Sequence, residues 1–264
     1  MSVTLAQTTR HSTDVAVQLT GVAKVFGHGR HAVTALEDMD LTVTPGEFVC
    51  VLGASGCGKS TLLNLVAGLD EPTTGTVARN TSRPAVMFQD AALMPWLTAA
   101  RNVELPLRFA GFPRAERRAK VAELLDLVRL GGQGDKRPHE LSGGMRQRVA
   151  LARALAATHR AGAEQQPSLL LMDEPFAALD AITRDVMQNE LLRIYRSLNS
   201  AVLFVTHDVR EAVRLGRRIV LLSSRPGRVV REWSAPEDDG QAGLTEEITA
   251  RLREVISTHA RQSD

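Results

Sequence analysis

Phe48-Val-Cys-Val-Leu52 runs directly into Gly53-Ala-Ser-Gly-Cys-Gly-Lys-Ser-Thr61, and a helical apolar pattern follows as far as Leu69. A five-residue apolar run is too short for a helix and reads as a buried strand. Glycines at 53, 56 and 58 let successive backbone N–H groups curl around phosphate oxygens. The helix after them aims its positive N-terminal end at the same charge. Strand, phosphate loop and helix in that order predict an α/β protein built on a parallel sheet. The expected nucleotide contacts are Gly53, Ala54, Ser55, Gly56, Cys57, Gly58, Lys59, Ser60 and Thr61. Lys59 is expected to reach the β- and γ-phosphates, and the Ser60 hydroxyl to hold Mg²⁺.

Further strands are predicted on both sides of this unit. Residues 15–19 and 39–43 alternate apolar and polar side chains, as half-buried strands do, and suggest an N-terminal β region. Residues 85–88 form a short apolar run before Gln89. Ser168-Leu-Leu-Leu-Met-Asp-Glu-Pro175 is an apolar strand ending in two carboxylates, Asp173 and Glu174. Residues 201–205 are another apolar run, followed by His207, and residues 186–198 supply the crossover helix between the two. Residues 218–222 and 227–233 read as closing strands.

Residues 99–157 are mostly helical in pattern. Val121, Leu124, Leu125 and Val128 share one helical face, and Pro113 and Gly131–Gly132 bracket it. Residues 90–158 are therefore expected to form a helical subdomain inside an α/β domain spanning 15–235. Residues 1–14 read as a disordered tail, and 158–166 as a surface loop. Residues 236–264 read as a linker and a C-terminal helix. Leu244, Ile248, Leu252 and Val255 on one face of that helix either pack on the body or bind a partner.

Composition narrows the function classes. The 264 residues suit one domain with room for a subdomain, and the 44% hydrophobic content is ordinary for a globular chain. Aromatics at 4% and a net charge of +2 supply neither a stacking platform nor a basic footprint for nucleic acid. Cys50 and Cys57 read as reduced thiols rather than a disulfide framework. The polar N-terminus lacks a signal-peptide h-region. No apolar run approaches the ~20 residues that span a bilayer, so a membrane role is expected to be peripheral.

Between the phosphate loop and the acidic strand end stands Leu141-Ser-Gly-Gly-Met-Arg-Gln-Arg148. With this run in that place, the chain resembles the ATP-binding cassette (ABC) ATPases over residues 15–230. The resemblance implies a P-loop NTPase core with a parallel sheet, an N-terminal antiparallel β region and a helical signature subdomain. It implies ATP and Mg²⁺ as ligands. Asp173 then resembles the carboxylate that helps hold Mg²⁺, Glu174 the one that polarises the attacking water, and His207 the histidine that contacts the γ-phosphate. Gln89 resembles the glutamine that meets Mg²⁺ and water and links the core to the helical subdomain. Ser142, Gly143 and Gly144 are expected to cover the ATP held by the other subunit of a homodimer, with Asp180 lying across the same interface. Phe26 is either the aromatic that stacks on adenine or a core residue.

Phe88-Gln-Asp-Ala-Ala-Leu-Met-Pro-Trp-Leu-Thr98 and Leu221-Leu-Ser-Ser-Arg-Pro-Gly-Arg228 are similar to the importer ATPases for nitrate, sulfonate and taurine. That similarity implies an ATPase on the cytoplasmic side of the inner membrane, docked on a permease through the groove near Gln89 and Trp96. A substrate-binding protein would be an indirect partner. Trp96 is either the apolar anchor of that interface or core of the helical subdomain. The competing reading is a soluble ABC ATPase acting on the ribosome or nucleic acid. One phosphate loop, one LSGG run and the balanced charge speak against it.

Overall fold

The computed structural model describes residues 15–81, 84–159, 168–197, 200–235 and 241–262. The expected tail at 1–14 and most of the expected loop at 158–166 lie outside these residues, as does most of the linker. Two sheets organise the chain. A three-stranded antiparallel sheet has the order β2-β1-β4, from β1 (Val17–Phe26), β2 (Val33–Val43) and β4 (Thr74–Arg79). A six-stranded sheet has the order β5-β6-β7-β3-β8-β9. Its strands are β3 (Phe48–Leu52), β5 (Ala85–Met87), β6 (Leu169–Asp173), β7 (Ala201–Thr206), β8 (Arg218–Leu222) and β9 (Val229–Ser234). All pair in parallel except β9, which runs antiparallel to β8.

Apart from Asp173, Thr206 and Arg218 at strand ends, the parallel strands are apolar because both faces of the sheet are covered. Along β3, Phe48, Cys50 and Leu52 join one core cluster while Val49 and Val51 join the other, the two-residue period of a strand. β6 and β7 divide in the same way. One cluster lies between the six-stranded sheet, α1 (Lys59–Ala67) and the antiparallel sheet. The other extends into α2 (Ala99–Phe109), α3 (Arg114–Leu127) and α4 (Gly143–Thr158), and takes in α5 (Ala181–Ser197) and α6 (Val209–Leu215).

The N-terminal strands are longer than their alternation predicted. Register shifts along the β1–β2 ladder change which face successive side chains occupy, so the two-residue period breaks down after Leu19. β4 was not foreseen, because its residues are mostly exposed and it carries no apolar stripe. The C-terminal helix is α7 (Gln241–Gln262). It lays Ile248 fully buried against the core, with Leu244, Leu252 and Val255 packed beside it, so its apolar face packs on the body. Both cysteines are free and buried. No helix among the described residues is long and apolar enough to cross a membrane.

Candidate functional site

Parallel pairing sets the ends of four strands on one edge. Leu52 of β3 stands opposite Thr206 of β7, Asp173 of β6 opposite Val205 of β7, and Met87 of β5 opposite Met172 of β6. The phosphate loop, the Asp173–Glu174 pair, His207 and Gln89 all leave the sheet at that carboxyl edge, where ligands of open α/β sheets bind. A cavity of about 490 Å³ opens there. It is lined by Phe26, Ser55, Gly56, Gly58, Lys59, Ser60, Thr61, Gln89, Asp173, Glu174 and His207, and also by Val33, Ala35 and Arg225.

The loop is shaped by its glycines. Gly58 precedes α1 at φ +104°, and a Cβ there would meet the Ala35 carbonyl oxygen and Leu36 Cδ2, each at 2.7 Å. Cys57 turns inward, buried against Gly53. Burial pushes its thiol up, with Lys59 pulling the other way. Lys59 is 6% exposed, and its ammonium donates to the Gly53 and Ala54 carbonyls at 2.8 and 3.0 Å. These bonds hold the ammonium group in the loop.

Opposite stand the carboxylates. Glu174 adopts φ +44°, a left-handed conformation that costs a non-glycine residue energy and marks functional positions. Its backbone N–H donates to the Val205 carbonyl at 2.9 Å, which anchors the turn. Its Oε2 is 2.9 Å from His207 Nδ1 and its Oε1 is 3.9 Å from Lys59 Nζ. Burial pushes the Asp173 carboxyl up; a hydrogen bond from the Ser60 side chain and the Lys59 charge pull it down, and Glu174 pushes it further up.

Phe26 is 44% exposed on the cavity wall, with Lys24 Nζ 5.0 Å above its ring centroid. It is thus not a core residue, and a face of this kind can stack on a base. Ser142, Gly143, Gly144 and Asp180 do not line this cavity. Ser142 caps α4, its hydroxyl accepting from Met145 N at 3.2 Å. A Cβ on Gly144 would lie 3.2 Å from Leu179, the neighbour of Asp180, so these two segments abut one another at a separate surface. Asp180 Oδ1 accepts from Thr183 N at 3.0 Å. That hydrogen bonding to Thr183 holds its carboxyl below the usual range. Trp96 is 69% exposed, so it is not core of the helical region.

Some supporting residues were not foreseen. Behind His207, the buried Glu211 accepts from the Thr206 hydroxyl at 2.6 Å and the Gln188 amide at 3.0 Å. Burial raises its carboxyl, and those two bonds oppose the shift. Asp208 caps α6 by accepting from Arg210 N and Glu211 N. This network fixes the turn that presents His207. Arg225 reaches the phosphate loop, its Nε 3.4 Å from the Gly56 carbonyl. Its one signal in the sequence was its place in the 221–228 stretch.

A family model described as ABC transporter matches residues 36–177, more than half of the chain. The chain belongs to the ABC transporter family. Among its ABC relatives, the taurine import ATP-binding protein of Burkholderia pseudomallei is 49% identical over 220 residues, which cover 81% of this chain and 82% of that protein. The nitrate import ATP-binding protein of Synechocystis is 44% identical over 223 residues, covering 82% of this chain and 81% of that protein. A solved dimeric ATP-binding cassette in a post-hydrolysis state, bound to ADP and Pi, superposes with a TM-score of 0.73 at 34% identity. That match covers 84% of this chain and 100% of the other. The expected ABC ATPase fold, with its parallel core and N-terminal antiparallel sheet, is the one this chain has, and the chain is an ABC transporter ATPase.

Proposed function

We propose that this chain energises import of a small anion of the nitrate, sulfonate or taurine class. It would do so as a homodimer docked beneath a membrane permease, peripheral to the cytoplasmic side of the inner membrane. The observation that carries the mechanism is the meeting of Lys59, Glu174, His207 and Gln89 on one cavity at the carboxyl edge of the sheet. The importer branch is supported by relatives named for import of taurine and nitrate. Those relatives also count against the ribosome or nucleic-acid reading.

In this reading adenine stacks on Phe26 and the phosphates lie in the loop 53–61, with Lys59 neutralising β- and γ-oxygens. The Ser60 hydroxyl and the Asp173 carboxylate, joined by a hydrogen bond, and the Gln89 amide on the same cavity are the hard oxygen donors that suit Mg²⁺. Bound there, Mg²⁺ would offset phosphate charge as it develops. Glu174 orients and deprotonates the attacking water, and His207 holds that carboxylate at 2.9 Å and faces the γ-phosphate. Ser142, Gly143, Gly144 and Asp180 act on the partner's ATP, which is consistent with their lying away from this chain's own cavity. ATP then works as glue between two subunits, and its hydrolysis shifts the pair from closed to open. We assign residues 15–235 to the cassette, about 90–158 to its helical subdomain and 236–264 to a linker and terminal helix. Exposed Trp96 is assigned as an apolar anchor for the permease, with a substrate-binding protein as an indirect partner.

The test is an affinity pull-down of the tagged protein from detergent-solubilised membranes of its host, followed by mass spectrometry. A multi-spanning permease recovered in near-equal amount is the expected result. Ribosomal or nucleic-acid partners without a permease would overturn it.

A further inference from the structure

Gln89 leaves the sheet from β5, a strand of three residues that among the described residues pairs only with β6. The segment after it then turns away from the sheet. Ala92 sits at φ +41°, its N–H bonded to Asp90 Oδ1 at 3.1 Å. This bend turns several carbonyls toward the signature helix. The Gln147 amide of α4 donates to the Gln89 carbonyl at 3.2 Å. Further along α4, Arg153 donates to the Ala91 and Ala92 carbonyls at 2.8 and 2.7 Å. Asn102 of α2, fully buried, accepts from Met94 N at 2.8 Å and donates to the Met94, Leu97 and Thr98 carbonyls at 3.0–3.3 Å. Among the described residues, these side-chain bonds tie the segment from Gln89 past Trp96 to helices and not to the sheet.

Burial makes these bonds costly to lose. Gln147 is 4% exposed, so its amide needs the Gln89 carbonyl. Burial lowers the Arg153 guanidinium, and among the described residues no carboxylate is paired with it. A partly desolvated cation held by two loop carbonyls is an expensive arrangement whose specific effect is to fix that loop.

We infer that Gln147 and Arg153 are positioning residues for Gln89, fastening its segment to the helix that Ser142 caps. This rests on the reading of Gln89 as a site residue of the ATPase.

The test is a set of double-mutant cycles. Arg153→Ala, Arg153→Lys and Gln147→Met are each made in the wild-type and Gln89→Ala backgrounds. ATPase kinetics are measured for each, and the Tm verifies folding. Arg153→Ala and Gln147→Met should lower kcat on the order of tenfold, the scale of one lost hydrogen bond, with KM for ATP little changed. Arg153→Lys should recover part of the loss, because one ammonium can still reach a carbonyl. In the Gln89→Ala background the same substitutions should cost nothing further. In the nucleotide-free protein, Arg153→Ala should also speed amide exchange at Ala91–Leu93 without changing it in β6. Equal losses in both backgrounds, or a change in Tm alone, would overturn the inference while leaving Gln89 in place. Full turnover in Gln89→Ala would instead remove Gln89 from the site and the clamp's role with it. If Arg153→Ala does not fold, Gln147→Met decides the question.

Discussion

His207 Nδ1 lies 2.9 Å from Oε2 of Glu174, a contact made across adjacent parallel strands 33 positions apart in sequence. The carboxylate is held between this imidazole and the Lys59 ammonium, with its own backbone in a left-handed turn. In the proposed function this is the group that orients the attacking water.

Glu174→Gln should therefore bind ATP with nearly wild-type affinity and hydrolyse it ~10²–10⁴-fold more slowly, the usual scale of general-base help. Nucleotide titration beside steady-state ATPase separates the two. The variant should also accumulate an ATP-dependent dimer in size-exclusion chromatography. Robust turnover would show that another group takes the proton.

Lys59→Ala removes the ammonium that the Gly53 and Ala54 carbonyls hold in the loop, where the proposed function places the phosphates. Loss of a charged hydrogen-bond donor predicts ATP affinity about 10–100-fold weaker, with binding and turnover falling together. Unchanged affinity in a direct titration would mean that the loop does not hold the phosphates in this way.

Gly58→Ala should be damaging although no functional group is lost. At φ +104° a Cβ would strike the Ala35 carbonyl and Leu36, and strain of this kind destabilises by more than ~1 kcal/mol. Denaturant unfolding should show the loss, and ATP binding should fall because the loop must open to fit the methyl group. A Tm equal to wild type would contradict the assigned backbone.

Asp173→Asn should stabilise the nucleotide-free protein while impairing turnover. Burial raises the Asp173 carboxyl, against the pull of Ser60 and Lys59. The folded state thus binds its proton more tightly than the unfolded state does. Stability falls as pH rises from the ordinary carboxylate range through the raised folded-state value, and the penalty is full above it. The variant should melt above the wild type at pH 7 and lose that advantage at pH 3. A lower Tm at pH 7 would mean that Asp173 helps the nucleotide-free fold.

Phe26→Ala should weaken ATP binding about 5–100-fold, the range for loss of a base–aromatic stack, and Phe26→Trp should retain it. Equal binding by Phe26→Ala would place adenine elsewhere on the wall.

The phosphate loop and its flanks were legible in sequence because they are local. Phe48–Leu52 has strand length, Gly53–Thr61 has fixed spacing, and the apolar runs at 169–172 and 201–205 needed no partner to be recognised. The LSGG run supplied the family in the same way. β4 was missed because a polar strand takes its form from pairing with β1, which no periodicity records. α6, at seven residues, is too short for a helical stripe to stand out.

By itself the sequence determined the type of each strand-end motif and the chemistry its residues offer, since short-range spacing and backbone preference act within a few positions. Only the tertiary structure decided which of them meet. The strand order β5-β6-β7-β3 carries Gln89, Glu174, His207 and Lys59 to one edge. Long-range pairing also turned Phe26 and Trp96 outward and closed the Gln147–Arg153 clamp. These depend on how sheet and helices bury their apolar faces against each other, a property of the whole chain that no single segment contains.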